Sequence, residues 1–363
     1  MGLTDLDLSQ HQITFRQPDD WHLHLRDGEF LNALVPPSAK VFGRAVIMPN
    51  LSPPITSIKA AIDYKTRILK TVPNGCSFTP LMTVYLTDET DPDVLREGFL
   101  QGVFFAAKLY PVNATTNTAS GVSDFRNIYS VLEMMEQIGL PLLIHGEVIE
   151  TEVDIFDREA VFIERYLDPL LSRFPNLKVV LEHITTQDAV QYVKESRANL
   201  AATITPHHLH INRNAIFQGG IRPDFYCLPI AKRELHRLAL RSAAISGDPC
   251  FFLGTDSAPH LRSAKESSCA CAGIFNALNA IESYAEVFEQ EGALERLEAF
   301  ASEFGPAFYG LPFNKSSITL EKKSHIVPDK FRVKSVGSMD ENVVPFHAGE
   351  CLHWTFAQLQ SSE

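Results

Sequence analysis

The sequence lacks the features that mark nucleic-acid-binding and membrane proteins. It has no run of five or more basic residues, and 32 Lys and Arg against 44 Asp and Glu give a formal net charge of −12. Without a basic patch, a nucleic-acid partner is not expected. No apolar stretch reaches the ~18 residues of a membrane span, and Met1–Gln10 has neither the charged nor the apolar block of a signal peptide. We therefore expect no membrane association and a cytoplasmic location.

A cysteine framework and several common enzyme motifs are missing as well. The six cysteines are scattered along the chain, which favours reduced thiols over a set of disulfides. There is no Gly-x-Ser-x-Gly, phosphate-loop or Gly-x-Gly-x-x-Gly motif, so serine hydrolase, kinase and dinucleotide-binding functions are not indicated. The 45% hydrophobic and 21% charged residues are typical of a globular chain with a sizeable core.

Short apolar runs alternate with helical patterns between about residues 20 and 260. Continuous apolar runs are typical of parallel strands covered on both faces. Eight such strands, each followed by a helical segment, predict an α/β fold, a (β/α)₈ TIM barrel; a doubly wound open sheet is the second interpretation. The predicted strands are Trp21–Leu25, Arg44–Pro49, Phe78–Leu86, Val103–Tyr110, Leu140–His145, Lys178–His183, Leu200–Thr205 and Cys250–Thr255.

The chain shows no internal repeat and no long linker. We therefore predict a single domain over residues 1–363, with the barrel core at about 20–305. A short N-terminal segment precedes the core. A C-terminal appendage at about 306–363 contains strand-like pieces such as Ser317–Leu320.

The segment from Asp20 to Asp27, DWHLHLRD, carries a His-x-His pair. In an extended strand, residues i and i+2 point the same way, so His22 and His24 would direct their imidazoles at one point. A metal ion is one reading of such a pair. Taken alone, two hydrogen-bonded or surface histidines are an equally good reading.

Other polar residues stand near the carboxyl ends of the predicted strands. Lys108 lies inside one strand, His145 and His183 end two others, and Asp256 directly follows the last. In a barrel these ends surround the catalytic face, so residues far apart in sequence would converge there. Each residue alone also has a structural interpretation, such as a helix cap or a snorkelling lysine. Together they favour a metal site, and four imidazoles with a carboxylate suit Zn²⁺.

Lys108 does not fit such a site as an ordinary lysine. An ammonium group has no lone pair and would repel a metal ion, and burying it without a partner is costly. A deprotonated amine can add carbon dioxide, which makes a carbamate with two oxygens that can bridge two metal ions. The sequence therefore raises the hypothesis of a carboxylated lysine at position 108.

Long motifs along the chain carry a resemblance to a known family. The sequence resembles the dihydroorotases, specifically the bacterial class of about 350 residues within the binuclear-metal amidohydrolase superfamily. The resemblance covers nearly the whole chain. The matching motifs are DWHLHLRDG (Asp20–Gly28), MPNL (Met48–Leu51), AAKLYPVNATTN (Ala106–Asn117), LLIHGE (Leu142–Glu147), EHITT (Glu182–Thr186), YCLPI (Tyr226–Ile230), GTDSAPH (Gly254–His260), KESSCACAG (Lys265–Gly273) and FYGLP (Phe308–Pro312).

The resemblance implies a pair of zinc ions and a mechanism. One ion would be bound by His22, His24, carboxylated Lys108 and Asp256, and the other by Lys108, His145 and His183. A hydroxide between the ions would attack the ring carbonyl of dihydroorotate, and Asp256 would carry its proton to the ring nitrogen. The reverse reaction closes carbamoyl aspartate into dihydroorotate with loss of water, a step of pyrimidine (UMP) synthesis.

The resemblance also implies how the substrate is held. Arg26, Asn50 and His260 would bind its carboxylate, with Arg26 expected on the same strand face as His24. His145 would face the substrate as well, and the backbones of Leu228 and Ala272 would read the ring amides. Thr115 and Thr116 would lie on a mobile loop that closes over the site.

Two further clusters invite metal-site interpretations that we consider weaker. His207, His208 and His210 follow the seventh strand, whose end supplies no ligand in the resembled family, and we interpret them as wall or surface residues. Cys269 and Cys271 lack the second half of a four-ligand zinc site, and free thiols near the mouth of the barrel are expected.

Two alternative functions remain. Another cyclic amidohydrolase, of the hydantoinase or allantoinase type, would share the metal ligands but would leave Arg26 without a carboxylate to bind. A non-catalytic relative used as a scaffold would be expected to have lost metal ligands. The resemblance further implies a homodimer, and the small-molecule substrate is the only other partner expected.

Overall fold

An eight-stranded parallel sheet forms the centre of the molecule, as seen in a computed structural model that describes residues 11–196, 199–334 and 340–360. The strands follow one another in chain order around the sheet. The last strand returns to the first, because the Asp256 N–H donates to the carbonyl of His22 (2.9 Å) and the His24 N–H to that of Ser257 (3.1 Å). This closure makes the sheet a barrel and confirms the predicted (β/α)₈ fold. The barrel strands are β2 (Asp19–Leu23), β3 (Arg44–Ile47), β4 (Thr79–Tyr85), β5 (Ala106–Leu109), β6 (Leu142–Ile144), β7 (Val179–Leu181), β8 (Leu200–Ile204) and β9 (Phe251–Leu253).

Helices lie between the strands and after them, and several begin where the sequence supplies a capping residue. The Ser57 side chain accepts from the Ala60 N–H, and Asp91, placed before a proline, accepts from the Asp93 N–H. The α-helices are α1 (Phe30–Val41), α2 (Ile58–Leu69), α3 (Pro92–Leu100), α4 (Tyr129–Ile138), α5 (Arg158–Phe162), α6 (Asp168–Arg173), α7 (Gln187–Glu195), α8 (Pro206–His210), α9 (Glu234–Ala244), α10 (Arg262–Lys265), α11 (Ala280–Gln290) and α12 (Phe304–Tyr309).

The inside of the barrel is packed with apolar side chains, so it is a core and not a channel. This inner cluster consists of Trp21, Val46, Met48, Ala106, Leu143, Val180, Ala201 and Phe252. Since side chains alternate along a strand, the residues two positions further on face inward too, one layer nearer the carboxyl end. Those positions hold Lys108 after Ala106, and His145 after Leu143. A layer of polar side chains therefore lies next to the inner apolar cluster, on its side nearer the carboxyl ends of the strands.

All eight predicted strands are present, and most are shorter than predicted. The first differs in position, because it runs from Asp19 and ends at Leu23. Its pairing with β3 is interrupted between Asp20 and Leu23, after which the chain leaves the ladder. His24 and Arg26 therefore follow the strand, and the prediction that Arg26 shares a strand face with His24 is wrong.

Strands from both ends of the described chain form a second sheet outside the barrel. A strand that the sequence did not suggest, β1 (Gln12–Arg16), pairs antiparallel with β10 (Ser317–Glu321), which in turn pairs with β15 (Thr355–Gln360). The strand-like piece predicted in the C-terminal appendage is thus confirmed. Four short strands complete the appendage: β11 (His325–Ile326), β12 (Phe331–Lys334), β13 (Asp340–Val343) and β14 (Cys351–Leu352).

Within the described ranges, no helix has both the length and the apolar character needed to cross a bilayer. Met1–Gln10, where no signal peptide is predicted, lies outside those ranges.

Candidate active site

Three ligand-type side chains meet at the carboxyl end of the barrel. The Nε2 atoms of His22 and His24 are 3.2 Å apart, and Oδ1 of Asp256 lies 3.4 Å from the first and 3.2 Å from the second. All three side chains are buried. Bonds of ~2.0–2.1 Å to a tetrahedral metal ion place neighbouring ligand atoms about 3.3 Å apart. The triangle of His22, His24 and Asp256 therefore has the size that one such ion requires.

A buried aspartate holds the backbone around this triangle by hydrogen bonds, and three residues of the site have positive φ angles. The carboxylate of Asp20 accepts from the N–H of His22 (3.1 Å) and from the N–H and hydroxyl of Thr255 (2.9 and 2.6 Å), which ties the first strand to the last. Asp256 itself has φ +44°, and Arg26 (+56°) and His183 (+43°) share this left-handed region. Such conformations are rare for residues with a Cβ and concentrate at functional sites.

Lys108 lies beside the triangle as a completely buried amine. Its side chain is 0% exposed, and its Nζ has no hydrogen-bond partner in the described part of the chain. Nζ lies over the ring of Tyr110, 5.0 Å from its centroid. Burial lowers the pKa of Lys108 to about 8, which increases the fraction of neutral amine at neutral pH.

His145 and His183 complete the group of histidines. Their rings are 4.9 Å apart between centroids, and the His183 ring is equally far from that of His22. Nε2 of His145 lies 2.8 Å from Oε2 of Glu147, so Nδ1 is the nitrogen that could bind a metal ion. Nδ1 of His183 has no partner among the described residues. Burial holds the pKa of His22 and His183 well below the usual range, so both imidazoles are neutral, the form that binds metals.

The guanidinium of Arg26 stands at the rim of the site and is only partly paired. Its Nε donates to the carbonyl of Pro259 (2.9 Å), and its Nη2 lies 2.9 Å from Nε2 of His260. The neighbouring Asp27 is bound instead to Arg67 at 2.7 Å. Within the described ranges no carboxylate forms an ion pair with Arg26, so its remaining donors are available to an anion.

The segment after β5 lies across the site. Nδ2 of Asn50 donates to the carbonyl of Thr116 (3.0 Å), and the Thr116 hydroxyl donates to the carbonyl of Ala272 (3.3 Å). Nε2 of His260 lies 2.9 Å from the same Ala272 carbonyl. The segment containing Thr115 and Thr116 is therefore folded over the pocket, where the sequence predicts a loop that closes.

One cavity unites these residues. The site residues predicted from the sequence line this cavity, with two exceptions. Lys108 is wholly buried, and His260 contacts the lining residues Arg26 and Ala272. The sequence did not single out Tyr110, Ala258 and Gly273, nor the carboxylates Asp20, Glu147 and Glu182 that support the histidines. Gly273 and Glu182 stand directly beside a predicted site residue, and the other four lie two positions from one. The cavity is lined by His22, His24, Arg26, Asn50, Tyr110, Thr115, Thr116, His145, His183, Leu228, Asp256, Ala258, Ala272 and Gly273.

His207 and His208 form a second buried group with Cys227, with ligand atoms within 4.8 Å of one another. Their hydrogen bonds argue against a metal. Nε2 of His208 must donate to the carbonyl of Pro229 (3.0 Å), and Nδ1 of His207 must accept from the amide of Asn276 (3.1 Å). Each Nε2 therefore carries a proton, although Nε2 of His207 has no partner among the described residues, and the group is interpreted as part of the barrel wall.

Cys269 and Cys271 are free thiols with their Sγ atoms 3.8 Å apart. Since Cys271 precedes the cavity-lining Ala272, the pair lies close to the mouth of the barrel, as predicted.

Comparison with known proteins agrees with this arrangement. The profile of the amidohydrolase family matches residues 20–343, which include every barrel strand except the start of the first. The chain therefore belongs to the amidohydrolase family.

Similarity to individual proteins shows which group of amidohydrolases the chain belongs to. A dihydroorotase from Synechococcus sp. (strain CC9605) is 62% identical over 346 residues, which is 95% of this chain and 97% of that protein. The crystal structure of dihydroorotase from Saccharomyces cerevisiae in complex with 5-fluoroorotic acid superposes with a TM-score of 0.88 at 33% identity, covering 97% of this chain and 100% of that one. For the dihydroorotase from Campylobacter jejuni the TM-score is 0.85 at 38% identity, with 95% and 97% covered. Within the amidohydrolases the chain thus belongs with the dihydroorotases, which confirms the resemblance seen in the motifs.

Proposed function

We propose that this chain is a zinc-dependent cyclic amidase that interconverts N-carbamoyl-L-aspartate and L-dihydroorotate in pyrimidine synthesis. The observation that carries the proposal is the combination, in one cavity, of a metal-sized triangle of ligand atoms with the partly unpaired guanidinium of Arg26. The first feature suits hydrolysis and closure of an amide, and the second suits a substrate with a carboxylate. The similarity to dihydroorotases over nearly the full chain supports the same substrate.

The residues present fit two zinc ions. His22, His24 and Asp256 would hold one ion, and His145 and His183 the other, with carboxylated Lys108 shared between them. The unpaired, buried Nζ of Lys108 supports carboxylation, because a carbamate would replace an unsatisfied amine with an anion that the metals stabilise. When bound, the ions would polarise the ring carbonyl and lower the pKa of the attacking water.

Asp256 is proposed to move the proton. It lies beside both histidines of the triangle and lines the cavity, so its carboxylate reaches the reacting centre. In the hydrolytic direction it would take a proton from the attacking water and deliver it to the ring nitrogen as the amide bond breaks. In ring closure the same carboxylate would act in the opposite order.

The substrate carboxylate would be bound by Arg26, His260 and Asn50. Burial, and then the charge of Arg26, lower the pKa of His260 to about 2, so this imidazole is neutral and hydrogen-bonds without adding charge. Arg26 supplies the positive charge, and its planar donors match a carboxylate in two parallel hydrogen bonds. A neutral hydantoin-type ring would leave that charge without a partner, which disfavours the alternative cyclic amidohydrolases.

Water would be excluded by the segment that carries Thr115 and Thr116. Its contacts with Asn50 and Ala272 join the carboxylate-binding side of the cavity to the side proposed to read the ring amides. We propose that these contacts break and re-form as substrate enters and product leaves.

The test is to measure turnover of both substrates by purified protein, before and after removal of metal by a chelator. We expect activity in both directions, its loss on chelation, and its recovery with two zinc ions per chain. Dihydrouracil, the same ring without the carboxylate, serves as the control and should be a poor substrate. A zinc-loaded protein that converts dihydrouracil as well as dihydroorotate would contradict the substrate assignment. We further propose that the protein is cytoplasmic and forms a homodimer. Sedimentation of the zinc-loaded protein would test the homodimer.

A further inference from the structure

A buried lysine outside the proposed catalytic group connects two loops of the cavity. Lys265, at the end of α10, is 4% exposed. Its Nζ donates to the carbonyls of Tyr226 (2.7 Å), Cys271 (2.9 Å) and Gly273 (2.8 Å). An ammonium group has three N–H donors, so all of them are used on backbone carbonyls.

Two of those carbonyls flank Ala272. Lys265 binds the carbonyl on each side of Ala272 but not the Ala272 carbonyl between them. The Ala272 carbonyl instead lies within hydrogen-bond distance of the Thr116 hydroxyl (3.3 Å) and of Nε2 of His260 (2.9 Å). By binding the two flanking carbonyls, Lys265 orients the Ala272 peptide relative to the cavity that Ala272 lines.

The third carbonyl belongs to the loop that supplies Leu228. Tyr226 stands two residues before Leu228, and its carbonyl also accepts from the Gly273 N–H (3.0 Å). The Gly273 backbone has φ +150°, and a Cβ there would lie 2.3 Å from the carbonyl of Ala258. The loop that contains Ala272 and Gly273 therefore packs closely against the backbone of Ala258 on one side and binds Lys265 through its carbonyls. The Lys265 ammonium group and the Gly273 N–H, which share the Tyr226 carbonyl, together hold this loop at its distance from the Leu228 loop.

We propose that Lys265 is a positioning residue for substrate binding, which holds the backbones of Leu228 and Ala272 at the spacing that reads the two amide edges of the ring. This rests on the proposed function, in which those two backbones contact the substrate. Lys265 touches neither the substrate nor the metals. Its loss should therefore weaken binding much more than it slows the chemical step or releases zinc.

The experiment compares Lys265→Met with the wild type, because methionine keeps the apolar volume and removes every donor. Lys178→Met is the matched control, since Nζ of Lys178 also donates to a carbonyl (Phe308, 2.9 Å) but stands just before β7, at the opposite end of the barrel. We expect Lys265→Met to raise KM for dihydroorotate and Kd for orotate by about tenfold or more, with kcat changed by less than about threefold. Zinc content should stay at the wild-type value, and Lys178→Met should leave KM unchanged.

The conservative variant Lys265→Arg should give a KM between those of the wild type and Lys265→Met, because it retains charge and donors. A KM within twofold of wild type in Lys265→Met would overturn the proposal while leaving the proposed function intact. Equal losses of kcat and zinc would show a general structural role and would also overturn it. Failure of the wild-type protein itself to turn over dihydroorotate would instead refute the proposed function.

Discussion

Nδ1 of His22 lies 2.8 Å from Oε2 of Glu182, and both side chains are buried. The same oxygen accepts from the Thr203 hydroxyl at 2.6 Å. A carboxylate at Nδ1 places the imidazole proton there, so Nε2 presents its lone pair to His24 and Asp256. Such outer partners orient metal-binding histidines and raise their basicity. We therefore regard Glu182 as part of the proposed metal site, although it contacts no metal itself.

Replacing Glu182 with alanine should weaken zinc binding. The expected loss is about 10- to 100-fold in affinity, the usual effect of removing a carboxylate behind a metal-binding histidine. Competition with a chromophoric chelator measures it. Glu286, a buried glutamate on α11 that binds His353 outside the site, provides the control, because Glu286→Ala should leave zinc affinity unaltered. Equal zinc affinities in Glu182→Ala and wild type would show that the His22 contact is only structural.

Replacing Lys108 with methionine should abolish the shared ligand without disturbing the apolar packing. Protein labelled with ¹³C-bicarbonate should show a carbamate carbon signal in the wild type, and the variant should show none and bind fewer than two zinc ions. Since the bare amine is buried without a hydrogen bond to any described residue, the metal-free variant should unfold at a higher temperature than the metal-free wild type. A wild-type protein that holds two zinc ions but gives no carbamate signal would refute carboxylation.

Replacing Arg26 with alanine should impair recognition of the substrate carboxylate. Loss of a charged hydrogen-bond partner in a desolvated site is worth roughly 2 kcal/mol or more, equivalent to about 30-fold or more in kcat/KM. Steady-state kinetics with dihydroorotate measures this loss. Arg67→Ala is the control, since that arginine binds Asp27 and lies outside the cavity. If Arg26→Ala reduced turnover no more than Arg67→Ala, the carboxylate would not be bound as proposed.

The buried Glu282 should make stability depend on pH. Burial raises the pKa of its carboxyl from 4.5 to about 7. Because the folded pKa lies above the unfolded one, the stabilisation is complete below pH 4.5 and is lost as pH rises through 7. Glu282→Gln removes the titration and keeps an oxygen for the Phe356 N–H. Relative to wild type, this variant should gain roughly 2–3 kcal/mol in unfolding free energy between pH 5 and pH 8.

Urea unfolding of the metal-free proteins at the two pH values measures this gain. The exposed Glu89 supplies the control variant Glu89→Gln, whose difference from wild type should be the same at both pH values. A constant difference for Glu282→Gln as well would mean that its carboxyl does not titrate between them.

The sequence by itself determined the barrel strands, the polar residues near their carboxyl ends and the family. Continuous apolar runs mark buried parallel strands, and the side chains that follow them must meet once the strands close in order. The tertiary structure decided where the first strand ends, that β1 pairs with β10 about 300 residues away, and that Glu182 meets His22 and Lys265 meets Tyr226. Hydrophobic periodicity is a local property of the chain, whereas these contacts depend on which loops the closed barrel brings within hydrogen-bond distance.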